Sequence, residues 1–293
     1  MSHKHKSIIG MVFVSLSWGL SFMLSKHAMN EGFPPMTLAL IRYLFASVIL
    51  TALTLGKEKS LTVQKGDIAP IFVSGLFGIT LYYYFEYTGI GITSTVNASI
   101  ILAAIPVFTL IAETVTMRMR LTVKKAAGTA LSLAGVAFIV CFGAQDGTGN
   151  MRGDLFILGA SLVWVGYLFV SKKLRSRYSS LKMNALQALS ALLTLIPPAL
   201  LERDRWVPVS ITAWLSALLL AAVCSALCYW LYGNALSVLT PLSSAIFVNI
   251  IPLAAILAGV VFLGETLAIP QVLGGLMVTV SVFVVIGHSE GQL

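Results

Sequence analysis

Two tryptophans and two tyrosines sit inside long apolar stretches of this 293-residue chain, and three charged residues interrupt others. Trp18 and Trp164 lie near the middle of their runs. Tyr83 belongs to "YYYFEY" and Tyr229 to "CYWLYGN", while Arg42, Glu86 and Glu113 are the isolated charges. Aromatic faces can wall a flat ligand or hold a cation over the ring, and a buried indole N–H needs a hydrogen-bond partner. That is the chemistry of recognition rather than of bond making. Catalysis would need a nucleophile with its base, or a set of metal ligands, inside the same runs. The four histidines do not supply one: His3 and His5 lie in the N-terminal tail, His27 at a helix end and His288 near the C-terminus. No His-Glu-x-x-His element occurs. No enzyme, metal or cofactor is expected.

Each candidate also has a plain structural reading. Ser15, Trp18, Phe22 and Ser25 share one face of a helix, and Ser161, Trp164 and Ser171 repeat the pattern. The serines suit close helix packing. The tryptophans either line a cavity or pack, since interfacial Trp belongs at the ends of a membrane helix and these are central. Tyr83 with Tyr87, and Tyr229 with Tyr232, form either ligand walls or interface anchors. Pro106 and Pro252 each remove a donor and repel the carbonyl four residues earlier, at Leu102 and Val248. The result is a simple kink or a break exposing polar backbone near a substrate. Asn97 and Asn249, with Ser243 and Ser244, supply neutral polar groups on or near those helices. A charge at mid-bilayer costs about 2.5–3.5 kcal/mol on insertion scales, so Arg42, Glu86 and Glu113 each need a reason. Arg42 and Glu86 could pair as an external gate, and Glu113 could carry a proton or face Arg118. Snorkelling or a static ion pair are the alternatives.

The elements that position these residues follow from composition. With 58% hydrophobic and only 10% charged residues, and a mean hydropathy of +0.93, the chain is an integral membrane protein. Apolar runs of about 20 residues are needed to cross a bilayer. Ten are read: Ser7–Ser25, Met36–Leu55, Ile68–Glu86, Thr93–Ala112, Lys125–Phe142, Asp154–Ser171, Asn184–Leu201, Ile211–Tyr232, Leu242–Leu263 and Ile269–Gly287. The connections are too short to hide a soluble domain. The N-terminus is read as a retained first helix, because no small-residue cleavage site follows its apolar run. The three cysteines fall in apolar runs as small core residues. The sequon at Asn97 falls inside the fourth span, where glycosylation cannot reach.

Charge then gives orientation. Fourteen of the nineteen basic residues cluster at one set of ends: Lys4 and Lys6, then Lys57 to Lys65, Arg118 to Lys125, and Lys172 to Lys182. Lys26, Arg152, Arg203 and Arg205 are left for the other set. Positive charge is retained on the cytoplasmic side, so both termini are expected there, in a bacterial-type inner membrane. This distribution also removes nucleic acid as the reason for the formal charge of +8.

The phrase "SLSWGLSFMLSK" at Ser15 returns as "SLVWVGYLFVSK" at Ser161, displaced by 146 positions. The same offset relates Tyr83 to Tyr229, Pro106 to Pro252, Leu121 to Leu267 and Gly128 to Gly274. Residues 1–146 and 147–293 are therefore expected to be two five-helix halves. Because five is odd, the second half enters the membrane inverted, and corresponding loops should carry opposite charge bias. They do: "RMRLTVKK" corresponds to "GETLAIPQ", and "KHAMNEGFPP" to "KKLRSRYSSLK". Inverted repeats let one pattern build two gates around a midplane site.

With the halves in place, the chain resembles the EamA-type, ten-helix carriers of the drug/metabolite transporter superfamily. The resemblance rests on the Trp-containing first helix of each half, Pro34-Pro35 followed by Arg42, Pro106 and Pro252, and "FLGETLAIPQVLGGLMV". This last looks like the family's Gly-Glu-x-Leu ending to helix nine. The first half departs from it, with Arg118-Met119 where Gly264-Glu265 would align. The resemblance implies an all-α fold of two inverted repeats and a carrier. Known relatives export amino acids, purines, sugar-phosphate conjugates and amphipathic drugs.

The expected function is export of a small amphipathic metabolite by alternating access, with the bilayer and the small-molecule substrate as partners, no nucleic acid, and the oligomeric state left open. Trp18, Tyr83, Trp164 and Tyr229 would give the ligand ring faces from both halves, with Asn97 and Asn249 to orient it. Arg42 is the only basic residue well inside a span, which argues against multiply phosphorylated ligands. An aromatic or large apolar amino acid fits first, and an organic cation held by cation–π contact second. A channel or scramblase would also occupy a helical bundle. Nothing resembles a nucleotide-binding loop, so proton antiport and facilitated diffusion are the drivers that fit.

Overall fold

The structure, a computed structural model, describes residues 3–117, 122–142, 149–236, 247 and 250–287. Ten helices run through them: α1 (His3–Asn30) and α2 (Pro35–Glu58), α3 (Lys65–Ile92) and α4 (Thr95–Thr116), and α5 (Val123–Phe142). The second half repeats the series with α6 (Met151–Arg175), α7 (Ser180–Leu201), α8 (Ile211–Ala235), α9 (Ile250–Leu263) and α10 (Ile269–Gly287). The first eight are long and apolar enough to cross a membrane, and α9 and α10 are shorter apolar helices within the described residues.

The bundle keeps an apolar core but is apolar on the outside as well, and it buries a set of polar side chains, unlike a water-soluble fold. Val48, Leu193 and Leu253 point outward with 63%, 66% and 66% of their surface free, while Asn97, Asp154 and Gln271 are completely buried. Lipid is the solvent that makes this arrangement stable, because a buried polar group in hydrocarbon must find its partner within the bundle.

The repeat is inverted, and the pairing of equivalent helices carries that geometry. The start of α2 meets the end of α7: Thr37 N–H and Oγ1–H donate to Glu202 Oε2 at 2.8 and 2.9 Å. At the other end the order reverses, and Ser179, the N-cap of α7, donates to Glu58 at the end of α2. Each carboxylate thus stabilises the positive N-terminal end of its partner helix. The equivalent helices α5 and α10 also run antiparallel, with Gly135 against Met277 and Val278 and Gly274 against Ile139. The main packing of the first helix of each half is also preserved when the halves are exchanged: α1 lies on α8 and α9, and α6 lies on α3 and α4. Small residues permit this approach. A Cβ at Gly19 of α1 would stand only 2.7 Å from the Ile251 carbonyl of α9. The chain is an all-α integral membrane protein of ten transmembrane helices in two inverted five-helix repeats.

Three departures from a regular helix bear on the site. In α3 the turns at Leu76–Leu81 are π-helical, and in α8 so are those at Leu220–Leu227. Leu81 and Leu227 differ by the repeat offset, so each half widens the same helix at the same place. In α4 the helix is interrupted at Ala104, between Thr95–Ala103 and Ile105–Met117. Pro106, which lacks the N–H for an α-helical bond to Leu102, follows two residues later. Its counterpart Pro252 is buried in α9, and Val248 lies outside the described residues. Finally, α3 does not stop at Glu86, as its apolar run suggests, but continues to Ile92. Gly89 lets it close on α6, where a Cβ would stand 2.9 Å from the Gly153 carbonyl. The tyrosine cluster is therefore well inside the helix rather than at its end.

Candidate functional site

A small cavity opens where α2, α3, α6, α7 and α8 meet, with Tyr43, Trp164, Tyr167, Asn184, Gln187, Ser225 and Tyr229 around it. It has room for about one water molecule. Both halves contribute walls, and the walls are largely aromatic. Trp164 rests between Tyr82 and Tyr167, with ring centroids 5.0 and 4.8 Å away. Tyr43, Tyr83 and Tyr87 continue the series at 5.4 and 4.9 Å. Such tilted and edge-on pairs contribute about 0.5–1.5 kcal/mol each beyond area burial.

Trp18 occupies the equivalent place on α1. It packs on Tyr229 and Tyr232 of α8 at 5.3 and 5.2 Å. Its indole N–H donates to the Cys224 carbonyl at 3.0 Å. That carbonyl lies in the π-helical segment of α8, where the widened turn leaves main-chain oxygens for other donors. The aromatic residues singled out in the sequence form an assembly of two ring clusters, Tyr83 and Trp164 in one and Trp18 and Tyr229 in the other, which meet at the cavity through Trp164 and Tyr229. Cys224 and Cys228 are buried free thiols beside it.

Arg42 enters this assembly from α2 and is only 3% exposed. Its Nε–H donates to Ser225 Oγ at 2.7 Å and its Nη1 to Tyr87 Oη at 2.8 Å, and its guanidinium lies 4.8 Å over the Tyr83 ring. Glu86 accepts from Tyr82 Oη at 2.8 Å. No ion pair joins Arg42 to Glu86 among the described residues: the pairing expected for a gate is not made, because neutral hydroxyls hold each charge. Glu113 is half-buried near the far end of α4. The basic partner suggested for it, Arg118, lies outside the described residues, as does Asn249.

Asn97 stands elsewhere, in a polar lock at the end of the bundle where α1 finishes. Asn97 Nδ2 donates to both oxygens of Asp154, at 3.2 and 3.0 Å, while its Oδ1 accepts from Gln271 Nε2 at 2.7 Å. Thr93 Oγ1 donates to the same Asp154 at 2.6 Å. Beside this, Glu265 caps the N-terminus of α4, accepting from Thr95 N–H at 2.9 Å, Thr95 Oγ1 at 2.9 Å and Val96 N–H at 3.3 Å. Lys26 bridges to Glu265 at 3.2 Å and donates to the Thr93 carbonyl at 2.6 Å. The lock joins α1, α3, α4, α6, α9 and α10. At the opposite end the halves are tied by Asp67, which accepts from Arg177 Nη1 at 2.7 Å and Tyr178 Oη at 2.8 Å.

Sequence reasoning did not identify Tyr43, Tyr82, Tyr167, Gln187 or Ser225 as cavity residues, nor Lys26, Asp154 and Gln271 as a lock. A signal existed for some of them. Gln187 is a lone amide in an apolar run, and Asp154 and Lys26 flank spans at the end otherwise poor in charge. The position of Glu265 carried the family's Gly-Glu-x-Leu pattern.

The EamA-like transporter family matches this chain twice, over residues 5–141 and 151–287. The two matches are themselves offset by the repeat length. An uncharacterized transporter of Archaeoglobus fulgidus is 26% identical over 281 residues, covering 95% of this chain and 96% of its own. A probable terminal-alkyne amino-acid exporter of Streptantibioticus cattleyicolor is 26% identical over 289 residues, covering 98% and 95%. A solved crystal structure with 17% identity superposes at a TM-score of 0.66 over 97% of this chain and 98% of that one, and has the same fold.

Proposed function

This chain belongs to the EamA-like transporter family, and from that premise we propose that it is a secondary carrier exporting small amphipathic metabolites, with aromatic or large apolar amino acids first among them. The observation that carries this reading is the aromatic cavity built jointly by the two inverted halves. A cavity at the junction of inverted repeats is where alternating access places a substrate. Its size, about one water, corresponds to a collapsed state that must widen to admit a ligand.

The halves divide at residues 146 and 147. The basic clusters support a cytoplasmic position for both termini, and on that reading the lock of Lys26, Glu265, Asp154, Asn97 and Gln271 is the external gate, here closed. Its image in the first half would need an acid and an amide at positions that hold Met119 and Lys125. The two gates are therefore held by different residue types. An organic cation is the second reading, favoured by the ring faces around Trp164 and Trp18.

The test is uptake of labelled tryptophan, phenylalanine, threonine and choline into liposomes holding the purified protein. Saturable uptake of tryptophan and phenylalanine, with threonine weaker, is expected. Saturable choline uptake without amino-acid uptake would reverse the order of the two readings.

A further inference from the structure

Two opposite charges in the aromatic assembly are held by hydroxyls instead of by each other. Arg42 is 3% and Glu86 8% exposed, and they sit on the adjacent helices α2 and α3 within electrostatic reach of one another. Buried charges are ordinarily paired with an opposite charge. Arg42 instead spends Nε on Ser225 and Nη1 on Tyr87, and Glu86 spends Oε1 on Tyr82. Nη2 and Oε2 make no hydrogen bond among the described residues. Ser225, the partner of Arg42, lines the cavity, and Tyr82, the partner of Glu86, packs on Trp164 at its edge.

We propose that Arg42 and Glu86 are the two poles of a zwitterion site, Arg42 taking the carboxylate and Glu86 the ammonium of an α-amino acid whose side chain lies on Trp164 and Tyr229. This rests on the amino-acid reading above and adds the residues that enforce it. A guanidinium offers a planar fork for a carboxylate, and a tyrosine-held carboxylate accepts readily from an ammonium. Each pole leaves the other unmatched when a ligand carries one charge only, so the site rejects amines and acids that share the same ring.

The experiment is inhibition of labelled phenylalanine uptake in proteoliposomes by three unlabelled ligands: phenylalanine, phenethylamine, which lacks the carboxylate, and N-acetylphenylalanine, which lacks the ammonium. In the unmodified protein both analogues should compete at least tenfold more weakly than phenylalanine. Arg42→Gln should raise KM for phenylalanine at least tenfold while leaving phenethylamine competition within a factor of two. Glu86→Gln, an isosteric change that keeps an acceptor for Tyr82, should do the same for N-acetylphenylalanine and carries the test alone where Arg42→Gln does not fold. If phenylalanine is transported but both analogues compete as well as it does, or if Glu86→Gln weakens all three ligands equally, the zwitterion site is overturned and the carrier reading stands. If the unmodified protein transports no amino acid, both fall together.

Discussion

Glu265→Gln should unlock the end of the bundle proposed as the external gate. The Glu265 carboxylate serves Thr95, Val96 and Lys26 at once, and its side chain is 10% exposed. It therefore supplies the anion for the N-terminus of α4 as well as the counter-ion of the half-buried Lys26. An amide keeps the shape but loses the charge and turns one acceptor into a donor. Hydrogen bonds to charged groups contribute about 1.5–3 kcal/mol net. A loss near 2 kcal/mol shifts the closed-to-open ratio about 30-fold. A reporter cysteine at Val96, fully buried when the lock is shut, reads that shift directly. With Cys141, Cys224 and Cys228 replaced, an impermeant thiol reagent added outside intact cells should label it about 30-fold faster in Glu265→Gln. An unchanged rate would mean that the lock is static scaffolding, and labelling only from the cytoplasmic face would invert the topology.

Trp164→Ala is expected to lower kcat/KM for phenylalanine about 100-fold while the protein still folds. The ring borders the cavity and rests against Tyr82 and Tyr167, so its removal takes away a ligand wall and frees two tyrosines to fall inward. Large aromatic truncations in a closed core cost about 3–5 kcal/mol of stability. Here one side of the ring already faces open space, so the cost falls more on binding than on folding. Trp164→Phe, which keeps a ring in the same place, should recover most of the loss. Equal activity in both variants would remove Trp164 from the transport path.

The architecture was largely legible because hydrophobicity in a membrane chain is nearly one-dimensional. Run length gave the spans, the basic residues gave alternation, and the offset from Ser15 to Ser161 gave the repeat. The aromatic assembly was legible in part, since Trp18, Tyr83, Trp164 and Tyr229 are isolated signals at matching positions. Tyr82 was not, and the reason is local. The π-helical turns of α3 end at Leu81, which rotates the following face so that Tyr82 and Tyr83 both point inward. A regular 3.6-residue period does not foresee that. Asn97 was expected beside the substrate because it is a polar residue near Pro106. Its partners Asp154 and Gln271 come from other helices, and no spacing within α4 could announce them. Arg42 and Glu86 were recognised as costly charges, yet their separation by hydroxyl groups exists only in three dimensions.

The most direct test of a carrier working by alternating access is counterflow. Liposomes containing the purified protein are loaded with millimolar unlabelled phenylalanine and diluted into trace labelled phenylalanine. One aromatic site reached alternately through two gates predicts transient accumulation of label inside, above its external concentration, at a rate that saturates with substrate. Simple equilibration of label, with no overshoot and no saturation, would mark the protein as a channel and contradict the account.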